Sequence, residues 1–188
     1  TLLTYPEMAY FYFIGPYLVF DLYRDGHGVP EDKEEARKWH NVGHRIVSYD
    51  NPQVGLENPE IYRRNYGLRL WMANYDGVMN FAYYWRHGHV WNDFDYPDTS
   101  TMGFVYPTAK GVVDTVAWEG FREGLDDVRY ASTLRREIEK GKNSQHKQVR
   151  NVARAAESWL DDLDVHERDL DNVRLQIINR ILKLTASP

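Results

Sequence analysis

Asp76-Gly77-Val78-Met79-Asn80-Phe81-Ala82-Tyr83-Tyr84-Trp85-Arg86-His87-Gly88-His89-Val90-Trp91-Asn92-Asp93-Phe94-Asp95-Tyr96-Pro97 is the stretch on which the reading of the fold turns. Asp76-Gly77 is turn chemistry, because glycine tolerates a positive φ and an aspartate side chain bonds its own backbone. Residues 78–84 then read as a short, aromatic-rich strand. Both faces of that strand are largely apolar, the pattern of a parallel strand covered on both sides. It runs into a loop that carries Trp85, His87, His89, Trp91, Asn92, Asp93 and Asp95. Open α/β sheets and barrels bind ligands on the loops that follow the C-terminal ends of their strands. An ordered aromatic loop that only closes the end of a sheet is the competing reading, and these residues alone do not separate the two.

Toward the N-terminus, Asn58 as N-cap and Pro59 at the first helical position open a helix whose Tyr62, Tyr66 and Leu70 repeat at i+4. Leu68, Trp71, Met72 and Tyr75 continue its apolar face. A second strand spans residues 44–49 and is followed by the loop Asp50-Asn51-Pro52-Gln53-Val54-Gly55. Before it, Pro30 sits just inside a helix that reaches about Val42 and stops at Gly43. Its early Glu31, Asp32, Glu34 and Glu35 and later Arg37 and Lys38 suit the helix dipole. A further strand covers residues 17–22. Thr4-Tyr5-Pro6-Glu7 resembles a capping box ahead of an aromatic helix over 5–14, with a strand over 9–14 as the alternative.

Toward the C-terminus, residues 104–108 read as a short extended segment, and a long helix is expected over 114–140. Phe121, Leu125, Val128, Leu134 and Ile138 form its core face. Gly120 and Gly124 fall four apart inside it. Each glycine costs about 1 kcal/mol of helix stability, so the pair points to close approach of another backbone. Gly141-Lys142-Asn143 reads as a linker and Ser144 as the cap of the next helix, whose stripe is Val149, Val152, Ala156, Trp159, Leu160 and Leu163. Leu170, Val173, Ile177, Ile181 and Leu184 mark a last helix.

Alternating strands and helices imply parallel strands joined by crossovers, an α/β fold. Three strands make a poor independent sheet, and the helix over 5–14 has no strand before it. The simplest account is the last three βα units of a (β/α)8 TIM-type barrel in residues 1–141, with residues 142–188 a helical hairpin packed on it. The rest of that barrel is then expected upstream of this chain. Three strands also leave an open sheet edge, so the chain by itself is expected to be unstable or to self-associate.

The 188 residues suffice for one domain of ordinary size, and 23 Lys+Arg against 28 Asp+Glu give a formal charge of −5. That balance argues against a general nucleic-acid binder, which needs a basic stripe to neutralise phosphates. Cysteine is absent, which excludes disulfides and thiolate metal sites. No apolar run reaches the length of a membrane helix. Neither a nucleophile elbow, a dinucleotide or phosphate-binding glycine motif, nor a zinc-protease motif occurs, so no cofactor is expected. His87 and His89 are two apart but lack an evident third ligand, and no metal site is expected. His40 and His44 are separated by the expected helix stop at Gly43 and read as surface or supporting residues. For Arg63, Arg64, Asp126, Asp127 and Arg129, ion pairing or helix packing is the expected role.

The stronger constellation is the set of strand ends: Asp21, Arg24 and His27; Tyr49, Asp50, Asn51 and Gln53; Tyr83, Trp85, Trp91, Asn92, Asp93 and Asp95. In a barrel these converge on one rim. A sugar ring stacks its C–H face on Trp or Tyr while its hydroxyls bond amides and carboxylates. A carboxylate pair could serve as the acid and base of a glycosidase, although Asp93 and Asp95 are too close in sequence to assume that they flank a scissile bond. A loop cap or ion pair is the competing reading for each aspartate.

A set of landmarks runs along the same chain: Asn51-Pro52-Gln53-Val54-Gly55, Glu57-Asn58-Pro59, Tyr62-Arg63-Arg64-Asn65-Tyr66-Gly67, Tyr75-Asp76-Gly77, Trp91-Asn92-Asp93-Phe94-Asp95, Tyr106-Pro107-Thr108 and the run from Trp118-Glu119-Gly120 to Val128-Arg129-Tyr130. Over about residues 15–134 the chain resembles the C-terminal part of the glycoside hydrolase family 123-like catalytic domain, also known as domain of unknown function 4091. The resemblance implies a (β/α)8 barrel and exo-β-N-acetylgalactosaminidase activity, in which the substrate's acetamido oxygen replaces an enzyme nucleophile. It also implies a secreted or periplasmic polysaccharide degrader. The family's adjacent Asp-Glu pair at the end of an earlier strand has no counterpart here; Glu31-Asp32 is in the wrong order and opens a helix. This chain alone is therefore expected to be inactive and to supply the sugar-binding rim through Tyr49, Asn51, Tyr83, Trp85, Trp91, Asn92 and Asp93. Tyr49 or Tyr83 would bond the acetamido group, Trp85 or Trp91 would floor the subsite, and Asn92 and Asp93 would bind hydroxyls. A non-catalytic carbohydrate-binding or scaffold module is the alternative. A structural domain whose aromatic loop only packs is a third reading, which buried Trp85 and Trp91 would favour and exposed ones would oppose.

Overall fold

The computed structural model describes residues 18–21, 29–48, 58–78, 83–84, 91, 103–164 and 169–186. The capping box and aromatic helix over 5–14, the loop over 50–55 and most of the long loop after residue 84 lie outside the described residues. The fold is mixed α/β and mostly helical. It divides into two compact units, residues 1–124 and 125–188.

In the first unit, strands β1 (Leu18–Asp21), β2 (Arg45–Ser48) and β3 (Gly77–Val78) form a parallel sheet in the order β1-β2-β3. Leu18 pairs with Arg45, and Val47 with Gly77. The central strand is covered on both faces, with Ile46, Val47 and Ser48 all buried, as a parallel strand requires. Helix α1 (Val29–Asn41) connects β1 to β2. Its Ala36 and Trp39 pack with Ile46. It stops as expected at Gly43, whose φ of +80° suits glycine. There the Gly43 and His44 amides bond the carbonyls of His40 and Trp39, closing the last turn.

The second connection departs from the single helix expected after Asn58. Helix α2 (Pro59–Arg64) gives way to a π-helical turn (Asn65–Arg69) and then to a last turn, α3 (Leu70–Met72). Gly67, at φ −102° and ψ −114°, breaks the helical path. Asn58 does precede the helix, but its side chain makes no capping bond at φ −110° and ψ 77°; Pro59 is at the start as read. Tyr62, Tyr66 and Leu70 are buried at their i+4 spacing. Asn74, at φ 62°, ends the run.

Residues 104–108 are extended as expected, but within a hairpin. Strand β4 (Val105–Thr108) pairs antiparallel with β5 (Gly111–Asp114), an element the sequence reading left unassigned apart from Asp114, which it gave to the next helix. Helix α4 (Val116–Lys142) starts only after Thr115, whose Oγ1 accepts from the Trp118 amide at 3.3 Å.

Inside α4 the two glycines do what their spacing implied. A methyl group at Gly120 would overlap the Pro59 carbonyl, and one at Gly124 would lie 2.7 Å from the Arg63 carbonyl oxygen. A Cβ at Gly67 would in turn lie 2.9 Å from Gly124 Cα. Pro59 and Arg63 of α2 and Gly67 of the π turn thus follow one another in four-residue steps that meet the four-residue step of α4, with backbone against backbone.

The second unit contains the remainder of α4, helix α5 (Lys147–Asp161) and helix α6 (Leu170–Thr185). The buried stripe of α4 continues through Asp127, Ala131, Leu134 and Ile138, while Leu125 and Val128 are only half-buried. The helix runs through the expected linker at Gly141, which lies against Ala153 and Leu184. Ser144 does not cap α5: its Oγ accepts from the His146 amide instead, two residues on. Val149, Ala153, Ala156 and Leu160 of α5 and Leu170, Val173, Ile177 and Leu184 of α6 are buried. Asp169 caps α6 through the Asn172 amide at 2.9 Å.

Among the described residues, the buried carboxylates of Asp32 and Asp127 are each paired with an arginine. Arg69 meets Asp32 at 3.3 Å in the first unit, and Arg174 meets Asp127 at 2.5 Å in the second. Burial pulls the Arg69 guanidinium down to about 10, which leaves it charged at neutral pH. Asp126 and Arg129 pair at 2.7 Å on the surface of α4, the role the sequence reading gave them.

Candidate functional site

The register of the parallel sheet places Asp21 beside Ser48 and Ser48 beside Val78 along its C-terminal edge. Beyond that edge the chain leads to Tyr83, Tyr84 and Trp91, all exposed. Tyr83 and Trp91 are the two expected sugar-binding residues that fall within the described part of the chain. Tyr49, Asn51, Trp85, Asn92 and Asp93 lie outside it, as do His87 and His89.

Both residues are anchored on one short segment, Phe104 to Tyr106. The Tyr83 carbonyl accepts from the Phe104 amide at 3.0 Å. Its ring, 56% exposed, meets Trp118 edge-on at 6.5 Å. Trp91 is 52% exposed and lies flat on Tyr106, with centroids 5.4 Å apart and planes 8° from parallel. Tyr106 covers one face of the indole.

The anchor is itself held from below. The Phe104 carbonyl accepts from the Thr115 amide at 2.9 Å and from its hydroxyl at 3.0 Å. The Phe104 ring packs against Tyr62, Trp118 and Phe121 at centroid distances of 6.1, 5.5 and 5.0 Å. Tyr66 reaches Phe121 at 5.6 Å. Tilted and edge-on contacts of this kind suit the ring quadrupole and add about 0.5–1.5 kcal/mol per pair beyond area burial. Burial raises the Tyr62 phenol to about 12, so this core stays neutral through the physiological range.

The arrangement is a rigid aromatic floor with open indole and phenol rings at its margin. It can stack on the C–H face of a ring-shaped ligand and offer a phenolic hydroxyl as donor or acceptor. Tyr106 and Trp118 were not among the expected site residues. The available signal was period-two spacing, which puts Phe104 and Tyr106 on the same side of one extended segment.

The N-terminal edge of the sheet carries a different cluster. Asp76 was expected to bond its own turn. Instead its Oδ2 accepts from the Ile46 amide at 2.9 Å and lies 2.8 Å from His40 Nε2. The Asn74 side-chain amide approaches His40 Nδ1 at 3.3 Å, which places the imidazole proton on Nε2. The group ties α1, β2 and the turn into β3 together. Among the described residues, no cluster of three or more His, Asp or Glu side chains is placed to hold a metal ion. No described helix is long and apolar enough to cross a membrane.

Compared with protein-family models, with curated proteins and with solved structures, the chain matches none.

Proposed function

We propose that this chain forms the sugar-binding rim of a glycoside hydrolase acting on β-linked sugars, N-acetylhexosaminides among them, on the last three βα units of a (β/α)8 barrel. The observation that carries the reading is Trp91, exposed and laid flat on Tyr106. A half-exposed indole laid flat on a supporting ring is the kind of surface on which a pyranose stacks. Tyr83 and Tyr84 are exposed beyond the same strand end, and the parallel order β1-β2-β3 fits consecutive barrel units. Exposure of Trp91 also weighs against a purely packing role for that residue. In this reading the catalytic carboxylates are not among the rim residues.

A non-catalytic carbohydrate-binding module is the second reading. It is favoured by the strand ends themselves, where Asp21-Leu22 and Ser48-Tyr49 offer no Asp-Glu pair. Turnover of chromogenic β-glycosides by the full-length protein, N-acetyl-β-galactosaminide included, separates the two. The enzyme reading expects release of the sugar and a loss in kcat/KM of roughly tenfold, about 1.4 kcal/mol, for Trp91→Ala. Binding without turnover selects the module. Unchanged kinetics or affinity in Trp91→Ala on a confirmed ligand removes Trp91 from the site.

A further inference from the structure

We infer that Tyr106 is a positioning residue that holds Trp91 in its ligand-stacking orientation; this rests on the sugar-binding reading above. Three observations converge on it. The first is geometric: the rings are 5.4 Å apart and only 8° from parallel. The two rings are therefore in face-to-face contact, which couples the orientation of the indole to that of Tyr106.

The second concerns what holds Tyr106. It lies in β4, where its partner across the ladder is Val113 of β5. Two residues back, Phe104 is buried among Tyr62, Trp118 and Phe121. The Phe104 carbonyl is fixed by both the amide and the hydroxyl of Thr115. The Tyr106 backbone is thus held by the hairpin ladder on one side and by the aromatic core on the other. Binding residues are more precisely placed when a strand rather than a loop supports them.

The third is exposure. Trp91 is 52% exposed, so burial in a core does not fix its ring; Tyr106 is half-buried beneath it. An aromatic side chain set in advance loses less rotamer entropy when a ligand arrives, and that difference appears as affinity. Tyr106 need not touch the sugar. Its contribution passes through the indole.

This route predicts a non-additive double-mutant cycle. The full-length protein is titrated calorimetrically with methyl N-acetyl-β-D-galactosaminide, comparing wild type with Tyr106→Phe, Tyr106→Ala, Trp91→Ala and the Trp91→Ala/Tyr106→Ala double variant. Tyr106→Phe should bind within about twofold of wild type, because it keeps the flat ring. Tyr106→Ala should weaken binding several-fold in the wild-type background and have no further effect once Trp91 is alanine. Should Tyr106→Ala fail to fold, Tyr106→Leu retains bulk in the strand without a flat ring and should give the same pattern. Additive losses, or wild-type affinity in Tyr106→Ala and Tyr106→Leu, overturn the inference and leave the sugar-binding reading in place. Absence of binding by wild type across a panel of methyl β-glycosides overturns both.

Discussion

A methyl group added at Gly120 would run into the Pro59 carbonyl, whereas the second unit fills its interior with Leu134, Ile138, Leu160 and Ile177. Residues 1–124 bring helix backbones together at glycines and cover the rest with aromatic rings. Residues 125–188 fill their interior chiefly with aliphatic side chains, with one tight spot at Gly141 against Ala153. The tolerances follow. The first unit is sensitive chiefly to added atoms at its small residues, and the second, Gly141 apart, to removed atoms at its large ones.

The largest expected effect is in the second unit. Leu160→Ala removes a fully buried side chain and should cost about 2–5 kcal/mol, because neighbouring helices collapse only partly into the space. Urea unfolding followed by circular dichroism measures it. A loss below about 1 kcal/mol would mean that the aliphatic interior is loosely packed and the comparison overstated.

Next is Gly120→Ala in the first unit. Alanine favours an isolated helix by about 1 kcal/mol, yet here overpacking should reverse the sign and destabilise by about 1–3 kcal/mol. A stabilised variant in the same urea titration would show that α2 and α4 are free to separate.

The smallest effect sharpens the aromatic half of the comparison. The Tyr62 phenol is raised from its ordinary value near 10 to about 12 by burial. Between those values the unfolded chain loses this proton and the folded chain keeps it. Its contribution to stability is therefore full below pH 10 and lost as pH climbs toward 12, by roughly 1.4 kcal/mol at pH 11. Tyr62→Phe should lose less stability than wild type between pH 9 and pH 11. Equal losses in both proteins would place the alkaline sensitivity in other groups.

Legibility differed with the range of the interaction. The stop of α1 at Gly43 could be read because a glycine C-cap is local backbone chemistry. Gly120 and Gly124 announced a close approach, since two costly residues on one helix face need a reason. The partner surface at Pro59, Arg63 and Gly67 could not be read, because it lies more than fifty residues away. The β4–β5 hairpin was half seen: Phe104 to Thr108 signalled a strand, while Val112 and Val113, too short a run to signal a second one, were left unassigned. Of the site, Tyr83 and Trp91 were readable as aromatics beyond a strand end. Tyr106 was not, because its role depends on a ring fifteen residues earlier in the chain.

From the amino-acid order alone came the alternation of strands and helices, the apolar stripes of α5 and α6 and the demand for glycine in α4. Each follows from periodicity, backbone sterics or the hydrogen bonds of a single turn. The tertiary structure alone decided the π turn at Gly67, the burial of Arg69 against Asp32, the bond from Ile46 to Asp76 and the seating of Trp91 on Tyr106. The last three join residues distant in sequence, and the π turn, though local, lies where Gly67 packs against Gly124. Their geometry exists only once the chain has folded, and no local preference encodes it.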